Sequence, residues 1–222
     1  MDDALKRNRK LTVDLVKRDL IRSAAKKLFA ESGLDGTSVR EIARLAGYTT
    51  GAIYFHYANK EELYADILRD SLDRLFTEVR GSLPANDEPV ARLNAAFRAL
   101  VRFYDENPRD LDLSLYLLNG ARPRGLTRTL NKELNGKLRL VLDIYRTEFS
   151  HAGVEDARLN VEVGGLFDEM IGSLIAAHTG RLKVIGTDLA EVVEHHTTNL
   201  AERLSKTKRR PQGQPLSSSA IP

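Results

Sequence analysis

Hydrophobic residues recur at helical spacing along almost the whole chain, and this periodicity constrains the fold more than any other feature. One stripe comprises Ile21, Ala24, Ala25, Leu28 and Phe29, and a longer one comprises Leu126, Leu130, Leu134, Leu138, Val141, Leu142, Tyr145 and Phe149. Intervals of three and four residues place such side chains on one face of an amphipathic helix. No segment alternates convincingly as a half-buried strand would, so the sequence predicts an all-α fold.

Glycine, proline and capping residues divide this pattern into nine predicted helices. They cover about residues 12–32, 38–46, 50–57, 60–82, 90–107, 108–118, 126–151, 156–180 and 187–204. Gly33 and Gly47 are expected to end the first two helices, because glycine readily takes the left-handed conformation of a helix terminus. Thr37 or Ser38, Thr49 and Asn59 are expected to cap the helices that follow, since their side-chain oxygens accept orphaned backbone N–H groups.

Composition excludes several classes of protein. The 222 residues include no cysteine, so neither a disulfide framework nor a thiolate zinc site is available. No apolar run approaches the roughly 20 residues that cross a bilayer, and the first twenty residues lack the apolar core of a secretory signal. We therefore expect a cytoplasmic protein that has no membrane partner, and we predict neither a cofactor nor a metal site.

The charges are distributed unevenly along the chain. Residues 4–60 hold 12 Lys/Arg against 5 Asp/Glu, a net +7, whereas residues 61–205 hold 18 against 24, a net −6. A basic module on an acidic body suggests that the module meets a polyanion. The apolar-poor basic stretch 206–222 is predicted to be a disordered tail.

The stretch TSVREIARLAGYTTGAIYFHYANKEEL, residues 37–63, predicts two short helices joined by a glycine turn. This arrangement is typical of a helix-turn-helix, in which the second helix enters the DNA major groove and the first braces it. Val39, Ile42, Ala43 and Leu45 have the spacing to pack the bracing helix inward, which leaves Arg40 and Arg44 toward solvent.

The second helix is unusually polar for its length. Thr49, Thr50, Tyr54 and His56 surround the apolar Ala52 and Ile53, and their side chains can bond to phosphates or base edges. Gly51 allows the backbone to approach a groove wall closely. Lys60 adds a positive charge at a helix N-terminus, which itself favours a phosphate.

These residues resemble the DNA-binding domain of the TetR family of bacterial transcriptional repressors. The resemblance is carried by IRSAAKKLFAESGLDGTSVREIARLAG, YTTGAIYFHY and NKEEL, and it is strong over about residues 20–68. It implies base or groove contacts from Arg40, Thr50, Gly51, Tyr54 and His56, and phosphate contacts from Ser38, Thr49, Tyr54 and Lys60. Thr50 stands where many members have lysine, so that position lacks one charge. The implied domains are a DNA-binding domain at 12–67, with its helix-turn-helix at about 38–57, and a ligand-binding and dimerisation domain at 68–205.

The resemblance also implies that the acidic body binds a small molecule and forms a homodimer. Candidate ligand-lining residues are Phe97, Tyr104, Tyr116, Asn119, Tyr145, Phe149, Phe167, Met170 and His178. Candidate interface residues on the last two helices are Gly165, Gly172, Ala176, Leu189, Val193, His196 and Leu200. A two-fold dimer would present two recognition helices to a palindromic operator. The expected function is that of a ligand-responsive regulator, most simply a repressor.

Three alternatives stay open on the sequence. An enzyme is disfavoured because no phosphate loop or nucleophile elbow is present, and because His195 and His196 point about 100° apart on a helix; no catalytic residue is assigned. A helical interaction scaffold would explain the helices but not the polar recognition segment. An activator of the same fold differs only in the position of its operator.

Overall fold

The computed structural model describes residues 2–85, 88–116 and 126–208. Within these ranges the chain forms ten α-helices and no strand, so the predicted all-α fold is confirmed. The helices are α1 (Asp2–Gly36), α2 (Val39–Ala46), α3 (Thr50–Tyr54), α4 (Lys60–Gly81), α5 (Pro89–Glu106), α6 (Pro108–Tyr116), α7 (Arg128–His151), α8 (Asp156–His178), α9 (Arg181–Ile185) and α10 (Leu189–Lys208).

Two helices differ from the sequence prediction. Helix α1 begins at Asp2 rather than near Thr12, because no glycine or proline interrupts its good helix formers before Gly33. The additional helix α9 is only five residues long and lies between two left-handed glycines, Gly180 and Gly186, so it is too short to show a hydrophobic period. Residues 206–208 belong to α10, and the rest of the predicted tail lies outside the described residues.

Most of the predicted helix ends in the amino-terminal third are confirmed, but α3 ends at Tyr54 rather than near residue 57. Gly33 breaks α1 with φ 69°, and Gly47 ends α2 with φ 73°. Ser38 caps α2 through a reciprocal capping box with Glu41. The Thr49 side chain accepts the Ala52 N–H at 3.3 Å, and Asn59 Oδ1 accepts the Glu62 N–H at 2.8 Å.

The described residues form two compact units. The first lies within Met1–Thr77 and Phe103–Val141, and the second lies within Glu78–Arg102 and Leu142–Pro222. Helix α6 and the first part of α7 therefore belong to the same compact unit as the helix-turn-helix. The predicted domain division at 67/68 stays a prediction about function, because these units group the helices differently.

A buried carboxylate joins three helices of the first unit. Asp110 of α6 is 1% exposed, and it accepts from Lys26 Nζ of α1 and from Arg74 Nη2 of α4, the latter at 2.7 Å. In the same unit, Phe29 of α1 packs edge-on against Tyr64 of α4, with ring centroids 5.3 Å apart. The amino-terminal helix is thus held against α4 and α6 by both packing and charge.

Two kinds of feature are absent from the described ranges. No helix there is both long enough and apolar enough to cross a membrane. No group of three or more His, Cys, Asp or Glu side chains within those same ranges is arranged to hold a metal ion.

Candidate DNA-binding surface

Helix α2 is anchored by fewer residues than its spacing predicts. Ile42 and Ala43 are buried, but Leu45 is 42% exposed, so the prediction that Leu45 packs inward is wrong. An eight-residue helix turns only about twice, and its buried stripe is too narrow to include Leu45. Arg40 and Arg44 are exposed, as the sequence predicts.

Helix α3 is fixed in place by one apolar residue and by the ring that follows it. Ile53 is 2% exposed and Tyr57 is 5% exposed. The Tyr57 hydroxyl donates to Asp66 at 2.7 Å and accepts from Arg18 Nε at 3.0 Å. Burial raises the pKa of Tyr57 to about 12 although the Arg18 hydrogen bond opposes the shift, so this hydroxyl stays neutral and keeps donating.

Five of the eight predicted DNA-binding residues line one open cleft beside α3. These residues are Ser38, Arg40, Thr50, Tyr54 and Lys60, and the cleft volume is about 570 Å³. Thr49 and Gly51 lie exposed at the start of the same helix. Hydroxyl, phenol and guanidinium groups are therefore gathered on one exposed face, where they can reach a groove wall and its phosphates.

Lys60 lies in this cleft, but its ammonium is occupied by the protein itself. Nζ donates to the carbonyl oxygens of Leu34 at 2.7 Å and Thr37 at 3.0 Å, with that of Asp35 at 3.5 Å. These carbonyls lie where α1 ends and the chain turns into α2. Lys60 thus ties the start of α4 to the entrance of the helix-turn-helix, and a phosphate contact would require it to release at least one of these bonds.

The variant Lys60→Met is expected to lower the free energy of unfolding by about 1–3 kcal/mol, because hydrogen bonds from a charged donor to two or three carbonyls are lost. Denaturant melts of both proteins measure the difference. Lys27→Met is the matched control, since Lys27 is exposed on α1 and should change stability by less than about 0.5 kcal/mol. Equal stability of both variants and the wild type would show that Lys60 does not hold this turn.

His56 lies apart from the cleft residues. It is half-buried between the rings of Phe55 and Tyr57, with centroids at 5.0 and 6.4 Å. Its Nε2 atom is buried and has no hydrogen-bond partner among the described residues. The structure thus gives His56 a packing position, and the predicted groove contact stays a prediction.

Two features of this surface were not predicted from the sequence. The Lys17 ammonium of α1 lies 5.4 Å from the centre of the Tyr48 ring, which places a cation beside the start of α3. Phe55 is 77% exposed directly after Tyr54. The contact between Lys17 and Tyr48 spans 31 positions of the sequence, so no local pattern predicts it. The exposure of Phe55 could have been predicted, because it is an apolar residue on an otherwise polar helix face.

The predicted ligand-lining residues have different environments. In the second unit Phe97, Tyr145, Phe149 and Met170 are buried, Phe167 is half-buried and His178 is exposed. Tyr104, in the first unit, is buried with its hydroxyl 3.2 Å from Ser114 Oγ, and burial raises its pKa to about 12. The Tyr116 side chain and Asn119 lie outside the described residues. The ligand-lining role stays a prediction.

The predicted interface residues divide between the surface and the interior of the second unit. Val193 and Leu200 of α10 are only 7% and 3% exposed, so they already pack within their own chain. His196 is half-buried, with its ring centroid 6.0 Å from that of Phe97, and Leu189 is also half-buried. On α8 Gly165 and Gly172 are exposed and Ala176 is half-buried, and a Cβ added at either glycine would meet nothing within 4 Å. An interface formed without repacking would therefore use the α8 face.

An exposed polar helix braced by a second, arginine-bearing helix defines a helix-turn-helix DNA-binding domain. Residues 21–67 match the family model described as bacterial regulatory proteins, tetR family. The match assigns residues 21–67 to a TetR-type DNA-binding domain, and it confirms over that domain the resemblance seen in the sequence.

Curated relatives match the amino-terminal part of the chain. The transcriptional repressor KstR2 of Mycobacterium tuberculosis (strain H37Rv) is 40% identical over 83 residues, which are 37% of this chain and 42% of that protein. The transcriptional regulator AcrR of Shigella flexneri is 35% identical over 78 residues, 34% of this chain and 36% of that protein. The chain thus spans about two fifths of the length of the first of these relatives. These relatives are named as transcriptional regulators, in agreement with the expectation that the chain is not an enzyme.

Solved structures share the fold over most of the chain. A regulatory protein of the tetR family from Rhodococcus RHA1 aligns with TM-score 0.71 at 18% identity, covering 85% of this chain and 96% of that one. The regulator FadR from Bacillus subtilis, in complex with stearoyl-CoA, aligns with TM-score 0.68 at 17% identity, covering 82% and 96%. At these identities the likeness establishes the all-helical architecture.

Proposed function

We propose that this chain is a ligand-responsive transcriptional repressor that binds a palindromic operator as a homodimer in the cytoplasm. The observation that carries the proposal is the exposed cleft in which Ser38, Arg40, Thr50, Tyr54 and Lys60 meet. A surface made only for solubility has no reason to gather these groups around a helix that buries a single apolar residue. A helix in a major groove needs such an arrangement.

The charges around α3 support a polyanionic partner. Arg40 and Arg44 are exposed on α2, and the structure adds Lys17 beside Tyr48 at the start of α3. Cations near a recognition helix can bond to the phosphates that border a groove. The exposed polar side chains of α3 can then meet base edges.

Homodimer formation through α8 would supply the second recognition helix. Exposed Gly165 and Gly172 allow a partner helix to approach closely, and Val161 and Ile175 of the same helix are 72% and 38% exposed. A two-fold pair of recognition helices fits half-sites one or more DNA turns apart. Repression and activation differ by where those half-sites lie relative to a promoter.

The effector would act by binding better to the conformer that does not fit the operator. The aromatic residues of the body suggest an apolar ligand. Stearoyl-CoA is a reasonable first probe because the FadR structure with the same fold contains it. Its addition should release fluorescently labelled operator from the protein.

The proposal is tested by selecting operators from a random DNA library and measuring affinity by fluorescence anisotropy across a salt series. We expect one palindromic sequence to be enriched, its binding to survive competitor DNA, and log K to fall with log[salt] by about 0.9 for each phosphate contact. Arg40→Ala should weaken binding by about tenfold or more.

Arg139→Ala is the matched control, because Arg139 is exposed on α7 and should leave operator affinity unchanged. Failure to enrich any sequence would contradict the regulator and favour the helical scaffold. Equal losses from both arginine variants would place the DNA elsewhere on the surface.

A further inference from the structure

Phe55 has an unusual environment for a large apolar residue. Its side chain is 77% exposed, while the neighbouring residues Ile53 and Tyr57 are 2% and 5% exposed and anchor the segment. Its ring contacts that of His56 edge-on, at 5.0 Å between centroids. Hydrophobic burial, the dominant stabilising term in folding, is thus nearly unused at this position. Its exposure favours a role outside the fold.

The ring lies on the same side of the helix as Gly51. The Phe55 N–H donates to the Gly51 carbonyl oxygen at 3.1 Å, so the two residues are in α-helical register, one turn apart. A Cβ built on Gly51 would have Thr49 Oγ1, at 3.8 Å, as its nearest neighbour outside the helix backbone. One strip of the exposed face is therefore bare backbone followed by an aromatic ring, and it runs beside the polar strip of Thr50 and Tyr54.

The chemistry of the major groove indicates what this ring can recognise. A phenyl ring neither donates a hydrogen bond to a base edge nor binds a phosphate. The 5-methyl of thymine is the apolar group that base pairs present in the major groove, and phenylalanine is one of the side chains that contact it. Gly51 lets the helix lie close enough for a ring one turn further on to reach the base edges.

We propose that Phe55 is a specificity-determining residue that reads the 5-methyl group of one thymine in each operator half-site. This inference rests on the proposed function, because it needs α3 in the major groove. Tyr54 is 55% exposed in the neighbouring cleft, and the hydrogen bond to DNA predicted for its hydroxyl would not depend on that methyl.

The test replaces each thymine of the selected operator in turn by deoxyuridine, which removes only the 5-methyl group. Affinity is measured by anisotropy for the wild type, for Phe55→Ala and for Phe55→Leu. The wild type should lose about fourfold per half-site at one symmetry-related thymine pair, the value of one buried methyl group. Phe55→Ala should bind the thymine operator several-fold more weakly and lose nothing further at that pair, while Phe55→Leu keeps part of the sensitivity.

Tyr54→Phe is the matched control and should keep the full uridine sensitivity at the same thymine pair. Thermal melts should give all three variants the wild-type Tm, since both side chains are exposed. If the wild type shows no uridine sensitivity, or if Phe55→Ala keeps it unchanged, the inference about Phe55 is wrong. The proposed function as a DNA-binding regulator is not affected by that result. A library that yields no specific operator overturns the proposed function and this inference with it.

Discussion

Replacing Lys26 and Arg74 together by methionine is expected to lower the free energy of unfolding by about 3–5 kcal/mol. Both cations bind Asp110, whose side chain is 1% exposed. Their removal leaves a buried carboxylate without its counter-charges, and the lost attraction no longer offsets the cost of desolvating it. Denaturant unfolding measures the change.

The triple variant, with Asp110→Asn added, separates this effect from lost packing. It should recover part of the stability, because a neutral amide is less costly to bury than an unpaired carboxylate. Lys137→Met is the surface control: its partner Asp73 is 57% exposed, so the loss should be below about 1 kcal/mol. A double variant no less stable than this control would show that Asp110 does not need its two cations.

The Asp110 cluster also bears on regulation. It joins α6 to α1, and α1 leads through Gly33 into the helix-turn-helix within one compact unit. A ligand that moved α6 would therefore act on a helix already bonded to the DNA-binding module. Linkage requires the reverse as well, so operator binding should change ligand affinity by the same factor.

Local contacts explain why the helix ends could be predicted from the sequence. Ser38, Thr49 and Asn59 each accept a backbone N–H three residues later, and Gly47 takes its left-handed conformation without any distant partner. Such features depend on the order of a few neighbouring residues. The same rules missed α9, because five residues are too few for a hydrophobic period.

The candidate site was only partly predictable because some of its contacts are long-range. Residue type and spacing bring Arg40, Thr50 and Tyr54 to one surface, since they follow from the helix-turn-helix itself. The carbonyl partners of Lys60 lie 23 to 26 positions earlier in the chain, and Lys26 and Asp110 are separated by 84 positions. No periodicity relates residues that distant, so these roles emerge only from packing.

Arg92→Met should destabilise the second unit by about 3–5 kcal/mol as well. Arg92 forms a bidentate pair with Glu148, at 2.9 and 2.8 Å, and it also donates to the Pro84 carbonyl oxygen at 2.8 Å. The Glu148 side chain is 3% exposed, so the variant would leave a buried carboxylate without its guanidinium partner. The loss should appear as a lower denaturant midpoint.

Arg102→Met is the matched control in the same unit. Its partner Glu78 is 43% exposed and Arg102 itself is 57% exposed, so water can replace the pair and the loss should be below about 1 kcal/mol. The Arg92→Met substitution changes no residue of the DNA-facing cleft, so the folded fraction of the variant should bind operator with wild-type affinity. A variant that stays as stable as the wild type but loses DNA binding would show that this pair controls the regulator's conformation rather than its packing.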